Sequence, residues 1–151
     1  MKLHRSRSDR RKGATTVEFA FVAIPLFMFL FGIYEYARYV FTLQVLENAA
    51  REGARYAVVN TYDSDVEADT IAKVKAYMAG VDVAAMGNTT TITVYAAGAD
   101  GGEVGGPRDA EFGTNIGVRI TGAYDTFLPN LLLMPGTINM DVRALMNSEA
   151  N

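Results

Sequence analysis

The chain has 151 residues, half of them hydrophobic, with a formal net charge of −3 and no cysteine. It therefore carries no disulfide framework, thiol nucleophile or cysteine zinc site. Its single histidine, His4, stands in the N-terminal tail, so the rest lacks the usual base and metal ligand of hydrolytic enzymes.

Charge is unevenly spread. Residues 1–12 hold Lys2, Arg5, Arg7, Arg10, Arg11 and Lys12 against Asp9 alone, whereas 13–151 hold 8 basic and 16 acidic side chains. Such a tail can meet nucleic acid or anionic lipid. It has no aromatic residue to stack on bases and abuts an apolar run, so no nucleic-acid partner is expected. Residues 19–34 read FAFVAIPLFMFLFGIY, and 14–17 extend the run upstream with only Glu18 between. At 1.5 Å per residue, 14–34 spans about 31 Å, one hydrocarbon thickness. The segment is expected to cross a lipid bilayer, and the basic tail, which resists translocation, to stay in the cytoplasm. Pro25 leaves the Phe21 carbonyl without its helical partner, which membrane helices tolerate as a kink.

No turn signal appears before Asn60, so the helix is expected to run on over 35–59, as an amphipathic extension projecting from the membrane. Tyr36, Val40, Leu43, Leu46, Ala50, Ala54 and Ala57 recur every three or four residues along one face; Glu35, Arg38, Asn48, Arg51, Glu52 and Arg55 fall largely on others. Glu47 and Arg51 have the favourable order for a helical ion pair. Ala49 with Gly53, and Ala50 with Ala54, set small residues four apart, a spacing that admits a second helix or the chain's own domain.

Residues 60–151 are expected to form an exported α+β domain. Ser64 can cap a second helix running to about Ala79, with Glu67 completing a capping box, Gly80 as stop, and Ile71, Val74, Tyr77 and Met78 inward. Alternation over 89–96, 115–122 and 137–146 predicts about three antiparallel strands. Residues 97–113 are a Gly-rich connection, and 128–135 an apolar loop or short helix bounded by prolines.

The chemical motifs are thin. The Gly-rich stretch lacks the Gly-Lys-Ser/Thr ending of a phosphate loop and reads as a hairpin loop. Asp63, Asp65, Glu67 and Asp69, or Asp100 and Glu103, lack the spacing of an EF-hand, so no metal or cofactor is expected. Asp109 and Glu111 are the acids a hydrolase would offer, but paired carboxylates need a pocket, and no catalytic residue is assigned. Glu18 is the exception, because a carboxylate within a membrane helix is costly. No Lys or Arg lies between residues 13 and 37. Its partner is then another chain, a headgroup, Lys12, or an amine made nearby. No small-x-small cleavage site follows Tyr34, so the apolar segment is retained, whereas cutting after Gly13 would free an amine on Ala14, one turn from Glu18.

Gly13 followed by Glu18-Phe19, the apolar helix, and Asn48-Ala49-Ala50-Arg51-Glu52-Gly53-Ala54-Arg55-Tyr56 together resemble the N-terminal region of TadE-like proteins, pseudopilins of the Tad (Flp-type) pilus system. The resemblance implies a basic leader over 1–13 cut by a prepilin peptidase between Gly13 and Ala14. Glu18, with Phe19, would then serve assembly by neutralising the new amine, and pilin or pseudopilin subunits and Tad assembly proteins would be partners. It implies a bacterial inner-membrane protein with a periplasmic domain. Phe19 in place of the tyrosine of the major Flp pilin, and the sizeable exported domain, set the chain apart from the main filament subunit. The competing expectations are an uncut anchored scaffold and, more remotely, an anchored hydrolase.

Overall fold

The computed structural model describes residues 8–148 other than 88, 112 and 131–133. Positions 1–7 of the basic leader, and the middle of the proline-bounded apolar segment, lie outside the described residues. Helix α1 runs unbroken from Ser8 to Val59, through Pro25. Along 14–34 its side chains are exposed apart from partial cover at Ala23 and Gly32. From Glu35 onward one stripe turns inward: Glu35, Thr42, Leu46, Ala49, Ala50, Ala54 and Ala57 are buried. That stripe starts one residue earlier than the hydrophobic pattern predicts. Tyr36 is 63% exposed, while Glu35 is 3% exposed. A tyrosine with a polar tip is at ease at the surface, and Glu35 finds its partners inside.

Helix α2 spans Val66–Met78 and buries Val66, Thr70, Val74 and Met78. Its start corrects the expected capping box at Ser64. Asp65 holds the N-cap position without a side-chain bond, and the Asp63 side chain accepts from the Asp65 amide. Tyr77, expected inward, is 49% exposed. The left-handed cap falls on Ala79 (φ 51°), with Gly80 following at φ 79°. A short helix α3, Val81–Met86, was not foreseen; six residues carry too little periodicity to mark it.

Among the described residues the sheet has four strands, β1 (Thr91–Ala97), β2 (Glu103–Gly105), β3 (Asn115–Asp125) and β4 (Thr137–Asn147), in the order β2-β1-β3-β4. All neighbours are antiparallel, with Val94 opposite Val118 and Val118 opposite Ala144. The architecture is the expected α+β, with one strand more than about three. The extra strand, β2, has three residues inside the Gly-rich connection, which turns back through Gly98 and Gly102: the Gly98 amide donates to the Gly102 carbonyl at 2.8 Å.

One face of the sheet makes the core. Ile116, Val118, Ile120 and Tyr124 of β3 and Met140, Val142 and Ala144 of β4 meet the buried stripe of α1 and the inner face of α2. The other face carries Arg119, Asp141 and Arg143, joined by ion pairs of 2.6 Å and 3.1 Å to the Asp141 carboxylate. Hydrogen bonds from both arginines hold that carboxyl well below its usual range. Tyr95 lies across Gly117, where an added Cβ would stand 2.4 Å from its ring.

Candidate functional site: one helix, two surroundings

The residues singled out by sequence fall in two places on α1. Gly13, Ala14, Glu18 and Phe19 lie in its first part and are all exposed, Phe19 by 72%. The backbone is helical across the Gly13–Ala14 bond and stays so to Val59. Among the described residues nothing pairs with Glu18. No side chain of the folded domain approaches Gly13 either, since a Cβ built there meets nothing within 4 Å.

Ala49, Ala50, Gly53 and Ala54 lie in the second part, and the two readings of their spacing are distinguished by what covers them. A Cβ on Gly53 would stand 2.3 Å from Val74 Cγ2 and 3.6 Å from Val118 Cγ2. The small face is therefore where α1 meets α2 and β3 of its own chain. Glycine here removes bulk so that two helices can approach closely. The expected Glu47–Arg51 pair forms on the outer side at 3.6 Å.

Between the two parts stands a cluster of which the sequence pattern placed only Glu35 and Arg38, both off the apolar face of the helix. Tyr124, at the end of β3, donates its hydroxyl to Glu35 Oε1 at 2.8 Å. Arg38 donates to the same oxygen at 3.2 Å, and also to the Asp125 carbonyl. The Phe127 amide donates to Glu35 Oε2 at 3.1 Å. Arg38 also lies over the Tyr124 ring, 4.7 Å from its centroid, and Tyr39 meets that ring edge-on at 5.4 Å. Burial pushes the Glu35 carboxyl up, but the bonds from Tyr124, Arg38 and the Phe127 amide outweigh it and leave the group below its ordinary value. Burial, then the bond to Glu35, pushes the Tyr124 hydroxyl upward. Both are thus held in the forms the cluster needs, carboxylate and phenol. The sequence signal was available: Glu35 is the first residue after the apolar run, and the reasoning that asks Glu18 for a partner applies to it equally.

Two of the acids offered for other chemistry are engaged in local turns. Asp109 accepts from the Gly106 amide at 2.8 Å and Asp100 from the Gly102 amide at 3.0 Å. Among the described residues no three of His, Cys, Asp and Glu converge as a metal set.

Among the described residues the fold thus has one helix long and apolar enough to cross a membrane, prolonged into the core of a small α+β domain. Residues 13–55 of that helix match the family model of the TadE-like proteins, the family that the sequence motifs resemble. The match ends inside α1, so the domain beyond is characterised by its structure. No curated protein and no solved structure matches the chain.

Proposed function

We propose that this chain is a pseudopilin-like minor component of a Tad, Flp-type, pilus and acts by packing against other subunits rather than by catalysis. In this reading the basic leader lies in the cytoplasm, 14–34 crosses the inner membrane, and the α+β domain is periplasmic. A prepilin peptidase removes residues 1–13, which creates an amine on Ala14 within reach of Glu18. The observation that carries the reading is the coincidence of the TadE-like match with an apolar half-helix whose large side chains are all exposed. The small-residue face is occupied by α2 and the sheet, so contact with neighbouring subunits is assigned to the exposed surface of 14–34. The mature chain should begin at Ala14 when purified from its native membrane. Intact residues 1–13 in N-terminal sequencing would instead mark an uncut scaffold.

A further inference from the structure

We infer that the outward side of α1 just beyond the span, around Ala37 and Phe41, is a second lipid contact. It lies in the interfacial layer of the leaflet from which the helix emerges, so that the domain is seated on the membrane instead of standing clear of it. The inference rests on the reading of 14–34 as a membrane span.

In sequence the apolar run stops at Glu35, and Arg38 follows one turn later. The fold turns both charges away from the outward side. Glu35 is 3% exposed and bonded to Tyr124 and the Phe127 amide, while Arg38 donates to Glu35 and the Asp125 carbonyl and lies over the Tyr124 ring. Tyr36 and Ala37, between them, are exposed. On the side away from the domain, charge returns only with the Glu47–Arg51 pair, 13 residues or about 20 Å past Tyr34.

Polarity changes in order along that side. Leu30, Ile33, Ala37 and Phe41 follow one another at helical spacing, and Gln44, Asn48, Arg51 and Arg55 continue the same stripe; every one of them is exposed. Apolar, amide and cationic side chains succeed one another as hydrocarbon, headgroup layer and water do. Ala37 and Phe41 stand about 4.5 and 10.5 Å past Tyr34, and the interfacial layer adds about 5–8 Å on each side of the hydrocarbon. Side chains lean toward the helix N-terminus, so the Phe41 ring covers surface one turn nearer the bilayer. Tyr34 and Tyr36 flank the stripe, 59% and 63% exposed, the amphipathic rings expected at a headgroup boundary.

Exposed apolar side chains occur elsewhere, among them Val59, Tyr62 and Val104. Arg51 and Arg55 stand between the first two and the span, and Val104 belongs to β2, the outermost strand on the far side of the sheet from β4. Scattered exposure of that kind is ordinary. The stripe through Ala37 and Phe41 differs in running without a break into the surface of the span, and this continuity selects the bilayer as occupant. Asp125, whose carbonyl meets Arg38, is exposed at the same level on the domain side. It sets the depth, because a carboxylate keeps its water in the headgroup layer and not in hydrocarbon.

The chain has neither cysteine nor tryptophan, so single substitutions can report depth. Phe27→Cys in the span, Ala37→Cys at the proposed contact and Asn48→Cys beyond it all replace exposed residues. In the full chain, one copy per nanodisc, a charged maleimide should label Ala37→Cys severalfold more slowly than Asn48→Cys, and Phe27→Cys more slowly still. Phe41→Trp should be quenched at least twofold by lipids brominated near the glycerol end of the acyl chain. Ala37→Cys labelled as fast as Asn48→Cys, with Phe27→Cys protected, overturns the contact and leaves the span intact. Phe27→Cys labelled as fast as Asn48→Cys removes the span and the contact with it. Protection of Ala37→Cys that needs several copies per disc, or that comes without quenching of Phe41→Trp, assigns the cover to protein and overturns the bilayer assignment.

Discussion

Glu18 and Glu35 sit 17 residues apart on one unbroken helix, and their surroundings differ completely. Glu35 is buried and receives three hydrogen bonds from its own chain. Glu18 is exposed on a helix surface that the domain never reaches. The same division holds for the apolar residues, exposed along 14–34 and buried in one stripe beyond. A helix interior satisfies its own backbone in either setting, so continuity costs nothing at the boundary. What changes is which solvent the side chains are written for, and Glu35 marks the change. The second half is committed to its domain, and the first is left to lipid or to other chains.

Removing the committed carboxylate should have the largest effect. Glu35→Ala leaves the Arg38 guanidinium and the Tyr124 hydroxyl without their shared acceptor, and breaking a buried charged pair costs about 3 kcal/mol. Denaturant unfolding of the full chain in detergent should show a loss of that order; a loss below about 1 kcal/mol, the worth of one ordinary hydrogen bond, would mean that the cluster is not a fastening point. Next is Gly53→Ala. The new methyl meets the branched side chain of Val74, which has little rotamer freedom inside α2. Overpacking of this kind costs about 2 kcal/mol. Gly13→Ala, which meets nothing, should leave stability unchanged, and equal melting temperatures for the two variants would break the comparison.

A smaller effect is expected from Tyr124→Phe, which keeps the ring beside Tyr39 and Arg38 and removes one donor, worth about 1 kcal/mol. It also changes the pH dependence. The Glu35 carboxyl lies below its ordinary 4.5 in the folded chain, so its stabilisation is present above that pH and is lost as pH falls through the folded value. Without the Tyr124 hydroxyl the depression shrinks and the acid-dependent loss should shrink with it. Glu35→Gln should flatten the same portion of the curve further. Identical acid limbs for wild type, Tyr124→Phe and Glu35→Gln would place the acid sensitivity elsewhere, for instance at Asp141.

Long elements were legible because their periodicity is redundant. The reading of helix from 14 through 59 used dozens of residues, and the three long strands repeat their alternation several times. The phase of the buried stripe was not legible at its start, where hydrophobicity favoured Tyr36 over Glu35 and only the fold reveals Tyr124 and the Phe127 amide as partners 89 and 92 residues away. Strand β2 and helix α3 are too short to carry a pattern, and β2 exists because Gly98 and Gly102 close a turn that brings it to β1. The use of the small-residue face was open for a physical reason too: a stripe of alanine and glycine specifies close approach and says nothing about which helix approaches.

The smallest effect on stability should come from Glu18→Gln, and there the comparison is sharpest. The described residues of the domain supply no partner to lose, so unfolding should shift by no more than about 0.5 kcal/mol, the range of an ordinary surface substitution. If Glu18 answers to an amine exposed on Ala14, the substitution should instead reduce incorporation of the chain into pili while leader removal, read by N-terminal sequencing, continues. That pattern separates a carboxylate kept for assembly from one kept for folding, and it is the reverse of the pattern expected for Glu35. Unchanged piliation with normal processing would deny Glu18 an assembly role. A loss of stability comparable with Glu35→Ala would show that the exposed half of the helix is fastened to the chain after all, and the division of α1 into a committed and an uncommitted half would fail with it.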